Sequence, residues 1–458
     1  MRSLVVLPLV LVGISISSLR LGGLEANALK ERYQDVSSKI IDLALSSETG
    51  FDRLAYLCDR FGPRLSGSVE LEQAIDWVLD SMQKDGLASV HGEEVMVPHW
   101  VRGDESVTLL EPRIRDCPML GLGGSIGTSE GGLTAEVIVV RDFDELKDRA
   151  AEAKGKIVVF NAPFTEYRKT VVFRSRGAVE AAKVGAVASL IRSVGPFSMQ
   201  TPHTGVMGYD DEVQKIPHAA ITAEDADMMQ RMQERGERIS VRLRMAAQTH
   251  PDAKSRNVVA ELKGNEFPEE IVLVSGHIDS WDVGQGAMDD GGGCLAAWEA
   301  VRLLKQLGLQ PRRTIRVVLW TNEENGMVGV KTYRKQHASA LPDHVLAMES
   351  DTGVFEPLGF SFTGSEKAMP YLESIVELLK SLGDLRMSWG AGVSDIMYLL
   401  QEGVPVMGVD VNREKYFWYH HTAADTMDKL SRVEFNRCVA AYAVMAFVVA
   451  DMPERLPR

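Results

Sequence analysis

The second half of the chain alternates apolar β-type runs with helical stretches, a pattern that commits it to a largely parallel sheet with helices on both faces. Strand-like Asn257-Val-Val-Ala260 and Ile271-Val-Leu-Val274 precede a helical stretch from Gly292 to Leu307. Strand Thr314 to Leu319, helix Val328 to His337 and strand His344 to Met348 follow. Ligands of open α/β sheets gather beyond the carboxyl ends of the strands, and metal-binding residue types stand where these strands run out. His277 follows Ile271 to Gly276, Glu323 and Glu324 follow Ile315 to Trp320, Asp351 follows His344 to Met348, and His421 comes after the apolar Val404 to Val409. Residues this far apart in sequence can thus converge on one rim.

The residue types suit zinc, which accepts imidazole and carboxylate; two zincs about 3.5–4 Å apart need one bridging carboxylate and about two terminal ligands each. Asp289 is the natural bridge, because the glycine-rich turn Gly286-Ala-Met-Asp-Asp-Gly-Gly-Gly293 permits close approach at a helix start. Asp279, two residues past His277, is placed to hold the other nitrogen of that imidazole and set its tautomer. In extended backbone, neighbouring side chains point to opposite sides, so one of Glu323 and Glu324 is expected to bind metal while the other faces the water that metal activates. Taken singly, Asp-Asp before glycines is usually a helix cap and Glu-Glu usually a solvated surface. It is their joint occurrence, in order at strand ends, that points to a metal centre.

Length and charge narrow the rest. With 458 residues, 45% apolar and 25% charged, the chain has enough material for more than one domain. A net charge of −14 with no basic block disfavours nucleic acid and anionic membranes as partners. Cys58, Cys117, Cys294 and Cys438 form no CxxC pair, so neither a cysteine metal site nor a disulfide scaffold is expected. Met1-Arg2, the apolar run Leu4 to Ile16 and the small-x-small site Ala26-Asn-Ala28 read as a signal peptide over residues 1–28, which sends the chain into the secretory pathway. At about 13 residues that run is too short to span a bilayer, and no second candidate is evident downstream.

Residues 29–47 carry apolar positions at helical spacing, Tyr33, Val36, Ile40, Ile41, Leu43 and Leu45, and read as an extra helix or a removable prosegment. Glycines cluster at Gly121-Leu-Gly-Gly-Ser-Ile-Gly127, where a boundary is placed. Residues 48–120 and 249–458 are assigned to one domain, and residues 121–248, rich in β-type runs and holding the alanine-rich stretch Ala178 to Val187, to a module of their own that collects no metal-binding residues.

Ser275-Gly-His-Ile-Asp-Ser280, Gly286-Ala-Met-Asp-Asp-Gly291, Glu323-Glu324, Glu349-Ser-Asp351 and His421-Thr-Ala-Ala-Asp-Thr426 together resemble the co-catalytic di-zinc aminopeptidase family of aminopeptidase Y and the bacterial leucyl aminopeptidases. The match runs from about residue 50 to the end, and Phe61-Gly-Pro-Arg-Leu-Ser-Gly67, Val97-Pro-His-Trp100 and Gly177-Ala-Val-Glu-Ala-Ala-Lys183 resemble one branch of it. The resemblance implies a zinc-peptidase fold with two Zn2+ per chain. His277 and Asp351 would be terminal ligands of one, Glu324 and His421 of the other, with Asp289 bridging and Glu323 the general base. It further implies that residues 121–248 are an inserted protease-associated domain, and that the chain is a secreted or lysosomal homodimer, made with a prosegment, that hydrolyses unblocked dipeptides. His420 stands where several members carry a tyrosine that helps polarise the scissile carbonyl, and Asp395, in Val393-Ser-Asp-Ile396, resembles a substrate-site position; both are expected at the substrate. A non-catalytic receptor on the same scaffold is disfavoured because all five ligand positions and the base are kept.

Overall fold

The computed structural model describes residues 13–458, with side chains from Leu29 on; the expected signal peptide, apart from the backbone of residues 13–28, lies outside the described residues. A mixed eight-stranded sheet forms the larger layer. Its strands in chain order are β1 (Ala88–Val101), β2 (Gln248–Leu262), β3 (Phe267–His277), β4 (Arg313–Trp320), β5 (His344–Glu349), β6 (Pro357–Thr363), β7 (Arg386–Trp389) and β8 (Val406–Val411). They lie side by side as β1-β2-β4-β3-β5-β8-β6-β7, with β4, β3, β5 and β8 mutually parallel.

Both faces of the parallel strands are covered, as their unbroken apolar runs require. Val272 and Val274 of β3 face one core with the helices Gly292–Gln306 and Arg432–Asp451, whereas Ile271 and Leu273 face another with Val330 and Tyr333 of the helix Val328–Gln336. Register then sets where the site lies. His277 pairs with Trp320 and Ser275 with Glu349, so β3, β4 and β5 finish nearly level. The chain leaves β3 for β4 on one side and then crosses to β5 on the other, opening a crevice at that switch point.

The helix Arg432–Asp451 is, among the described residues, long and apolar enough to cross a membrane, which the expectation of no second candidate missed. It is instead a core helix, with 83% of its apolar window buried. Apolar residues on all sides of a helix mark burial, whether by protein or by lipid. Part of its cover comes from the helix Gly13–Ser46, whose Leu29, Tyr33, Ile40, Ile41 and Ala44 are buried in the same core. Tyr33 Oη donates to Asp451 Oδ2 at 3.0 Å, and Asn436 Nδ2 donates to the Ser47 carbonyl at 2.8 Å. Residues 29–47, expected to be a helix or a removable prosegment, are therefore packed into the larger core.

A second eight-stranded sheet, from strand Glu105–Glu111 to strand Ser240–Met245, carries its own apolar clusters. It begins ahead of the glycine run at Gly121, because strands Glu105–Glu111, Arg115–Cys117 and Met119–Gly121 already belong to it. The glycines follow a strand inside this unit, where turn chemistry and a domain crossing look alike in sequence. Arg102 fastens the unit to the larger one: Nε and Nη2 donate to Asp282 at 2.8 and 2.5 Å, and Nη2 also to Thr204 Oγ1 at 3.2 Å. The four cysteines are free and buried.

Two measurements follow from this packing. Ile40 is 0% exposed, so Ile40→Ala should cost about 2–5 kcal/mol in denaturant unfolding if the amino-terminal helix is structural; a cost near zero would mark it as dispensable. In the second unit, His218 accepts from Ser189 Oγ at 2.5 Å and donates to the Phe173 and Arg174 carbonyls at 3.2 and 3.1 Å. Burial lowers its pKa from 6.5 to about 4. The unfolded chain thus binds the proton more readily, so stability is full above pH 6.5 and declines as pH falls toward 4. That decline should be shallower in His218→Gln, measured as unfolding midpoint against pH.

Candidate metal centre and cleft

His277 closes β3 with its ring wedged by its own loop. Nδ1–H donates to the Asp279 backbone carbonyl at 3.0 Å, which turns Nε2 toward the site, 3.2 Å from both Asp289 Oδ1 and Asp351 Oδ1. The Asp279 carboxylate, expected to hold that nitrogen, lies 3.8 Å from it and instead accepts the Glu323 and Glu324 amides at 3.0 and 3.3 Å. The backbone carbonyl reaches the ring first, and the side chain is freed to brace the next loop.

That loop also corrects an expectation. Glu323 and Glu324 lie beyond β4 in a turn, following Asn322 at φ 65°, so it is turn geometry and the shared Asp279 anchor, not strand pleat, that part their side chains. Glu324 Oε2 faces His421 Nε2 at 3.1 Å, while Glu323 is half-buried and lines the cleft.

The adjacent aspartates divide two tasks. Asp290 turns inward: Oδ2 accepts the His277 amide at 3.1 Å and Oδ1 the Gly293 amide at 3.0 Å, capping the helix Gly292–Gln306. Asp289 turns outward, with Oδ1 toward His277 and Oδ2 3.4 Å from His421 Nε2. Asp425, from the motif after His421, accepts the Met288 and Asp289 amides at 2.7 and 3.2 Å. Arg64, fully buried, donates to the carbonyls of Gly62, Ile278, Gln285 and Gly286 at 2.7 to 3.0 Å, tying both ends of the intervening loop. Residue-by-residue reading of the sequence missed both braces, although each lies in a stretch that carries the family resemblance.

The second unit supplies no candidate ligand but holds one in place. The His421 Nδ1–H donates to the Thr204 carbonyl at 3.2 Å, and the Thr204 amide donates to the His421 carbonyl at 2.9 Å. Arg174 donates to the same Thr204 carbonyl at 3.3 Å and to Tyr167 Oη at 3.0 Å. Tyr167, Arg174 and the candidate ligands Asp289, Glu324, Asp351 and His421 line one cavity of about 650 Å³. His420 lines it too, stacked on His421 with ring centroids 3.6 Å apart. Asp395 lies behind the wall formed by Val393 and Ser394: it is 0% exposed, does not itself line the cavity, and its amide and that of Ser394 donate to Glu349.

The donor set fits zinc. Asp289 Oδ2 and Glu324 Oε1 are buried without a hydrogen-bond partner, in a pocket of imidazoles and carboxylates. Burial raises the Glu323, Glu324 and Asp289 carboxyls, and the crowding of like charges raises them further. It lowers the rings of His420 and His421. Burial also pushes His277 down, but its bonds to Asp289 and Asp351 outweigh that and hold it up. A divalent cation would relieve the acid crowding, take the neutral ring of His421 as it stands and replace the Nε2 proton of His277.

Residues 257–446 match the model of peptidase family M28. The chain is 53% identical to carboxypeptidase Q of Homo sapiens over 428 residues, 93% of this chain and 90% of that protein, and 52% identical to the mouse protein of the same name over 429 residues, 93% and 91%. Its fold matches the crystal structure of a peptidase M28 precursor from Shewanella amazonensis with TM-score 0.90 and 35% identity, covering 94% of this chain and 99% of that one. A zinc aminopeptidase from Bacillus subtilis shares the fold at TM-score 0.68 and 20% identity, over 89% and 96%.

Asp289→Ala should retain the fold by circular dichroism yet lose bound metal on dialysis, read by elemental analysis. A variant that still carried the wild-type metal content would remove Asp289 from the ligand set.

Proposed function

Because the chain belongs to peptidase family M28 and is a zinc metallopeptidase of exopeptidase type, we propose that it hydrolyses unblocked dipeptides at the centre built around Asp289. The observation that carries this reading is the position of the Asp289 carboxylate, one oxygen toward His277 and the other toward His421. A carboxylate so placed could be shared by two ions. In this assignment His277 and Asp351 would hold one zinc, and Glu324 and His421 the other, with Asp289 common to both. Zinc there supplies Lewis acidity, polarising a peptide carbonyl and lowering the pKa of a water.

The remaining work belongs to the chain. Glu323 lines the cleft beside these groups, and burial together with the neighbouring carboxylates raises its pKa, as suits a residue that takes and returns a proton. It is assigned to remove the proton of the attacking water and deliver it to the leaving amine. Asp279 holds its backbone amide and that of Glu324, setting base and ligand in one turn. His420 and Tyr167 wall the cleft near the substrate, the second from the inserted unit, which we read as a protease-associated module.

The test is hydrolysis of free dipeptides by purified protein, before and after chelation. Activity should vanish with chelator and return with added zinc, at two zincs per chain. Glu323→Gln should keep its zinc and lose about 10²–10⁴ in turnover, the range of general acid–base catalysis; near-normal turnover would take the base role away from Glu323.

A further inference from the structure

The carboxylates that line the cleft, Asp289, Glu323, Glu324 and Asp351, all belong to the candidate centre. Away from them the lining changes sign and carries Arg168, Arg174 and Arg413. A positive group on a substrate therefore finds opposite charge only among the carboxylates of the centre, and a substrate carboxylate finds side chains of opposite charge only in these arginines. Arg174 is already committed, donating to the Thr204 carbonyl at 3.3 Å and to Tyr167 Oη at 3.0 Å. Arg168, exposed on the helix Tyr167–Lys183 of the inserted unit, adds positive charge to the same cavity.

Arg413 joins a fixed backbone to a free head. It follows β8, where the Asn412 amide donates to the Glu356 carbonyl at 2.9 Å and the Tyr416 amide to the Arg413 carbonyl at 3.1 Å. The His420 amide in turn donates to the Tyr416 carbonyl at 3.0 Å, so two successive turns tie Arg413 to the histidine pair. Its guanidinium donates no hydrogen bond among the described residues. Nη2 stands 3.6 Å from Asp410 Oδ1, an ion pair too long for a hydrogen bond and, with the arginine side chain 45% exposed, worth little. Asp410 has donors of its own, for Oδ1 accepts from Ser361 Oγ at 3.0 Å and Oδ2 from Ser388 Oγ at 3.2 Å. The guanidinium lies against Gly392, which lines the same cavity: a Cβ there would stand 3.7 and 3.9 Å from Nη2 and Nη1. With only hydrogen at position 392, no side chain covers the fork on that side.

We propose that Arg413 binds a carboxylate of the substrate, its guanidinium fork taking the two oxygens side by side. The inference rests on the dipeptidase reading above and names the charge that the cleft recognises. Guanidinium and carboxylate match in this paired geometry, and a hydrogen bond between charged partners is the stronger kind. The terminal carboxylate is present on every unblocked dipeptide, and an acidic side chain carries the same group. Arg413 acts on binding alone; proton transfer stays with Glu323.

Arg413→Ala removes an exposed side chain that donates no hydrogen bond in the fold, so thermal midpoint and zinc content should match wild type. The probes are alanyl-glutamate, alanyl-glutamine and alanyl-glutamine amide, the last of which has no carboxylate. If the terminal carboxylate is read, KM for both free dipeptides should rise about 10–100-fold, the worth of a charge-assisted contact, with kcat nearly kept and the amide unaffected. If the side chain is read, KM should rise for alanyl-glutamate alone. Arg413→Lys, which keeps the charge and loses the fork, should recover part of the loss. An unchanged KM for alanyl-glutamate and alanyl-glutamine overturns the role, and so does a rise that the amide shares equally. Wild-type protein that hydrolyses no dipeptide would remove the dipeptidase reading and this role together, whereas active wild type with an indifferent Ala variant would remove Arg413 alone.

Discussion

The Asp289 carboxylate between two imidazoles is the constraint around which the surrounding structure is arranged. Left without a cation it is a buried charge crowded by Glu323, Glu324 and Asp351, and burying such a charge unpaired is expensive. Its backbone is accordingly held from several sides: Asp425 takes its amide and that of Met288, Arg64 takes the carbonyls of Gln285 and Gly286, and Asp290 ties the turn to β3 and to the following helix. Each brace spends a charged group on backbone. Geometry of this kind is what a metal centre needs from the residues behind its ligands.

The sheet makes that arrangement affordable, since β3, β4 and β5 end nearly level through register alone. The centre then needs only short loops to converge. The inserted unit closes the other side. Thr204 holds His421 through both its amide and its carbonyl, and Arg102 links Thr204 to Asp282 and so across to the larger unit. A unit that supplies no candidate ligand therefore influences how one is presented, through two hydrogen bonds to a single residue.

The large core beneath the site is less local. The helix Arg432–Asp451 is covered on several sides, and one cover is the amino-terminal helix through Ile40, Ile41 and Ala44. Tyr442 of the buried helix reaches the sheet, its hydroxyl donating to the Ser275 carbonyl at 3.1 Å, just before His277. Packing far from the cleft is thus joined to the strand that ends in a candidate ligand.

Alternating apolar runs were enough to foresee the fold class, because a fully covered parallel strand must be apolar on both faces, and strand ends carrying His277, Glu323, Glu324 and Asp351 were enough to foresee a rim. The candidate ligands were legible because histidine and carboxylate at strand ends are costly unless used. What the sequence could not carry was which atom of a residue acts and what stands behind it. Asp279 was expected to serve His277 through its carboxylate, but backbone geometry gave that task to its carbonyl; the divergence of Glu323 and Glu324 came from a turn rather than a strand. Arg64 and Thr204 have no periodicity and no local pattern that announces a role, for each acts on residues brought near only by folding. Residue type and order along the chain determined the fold class and the chemistry at hand, and tertiary structure alone decided the second rank, because hydrogen-bond geometry depends on where distant backbone atoms come to rest.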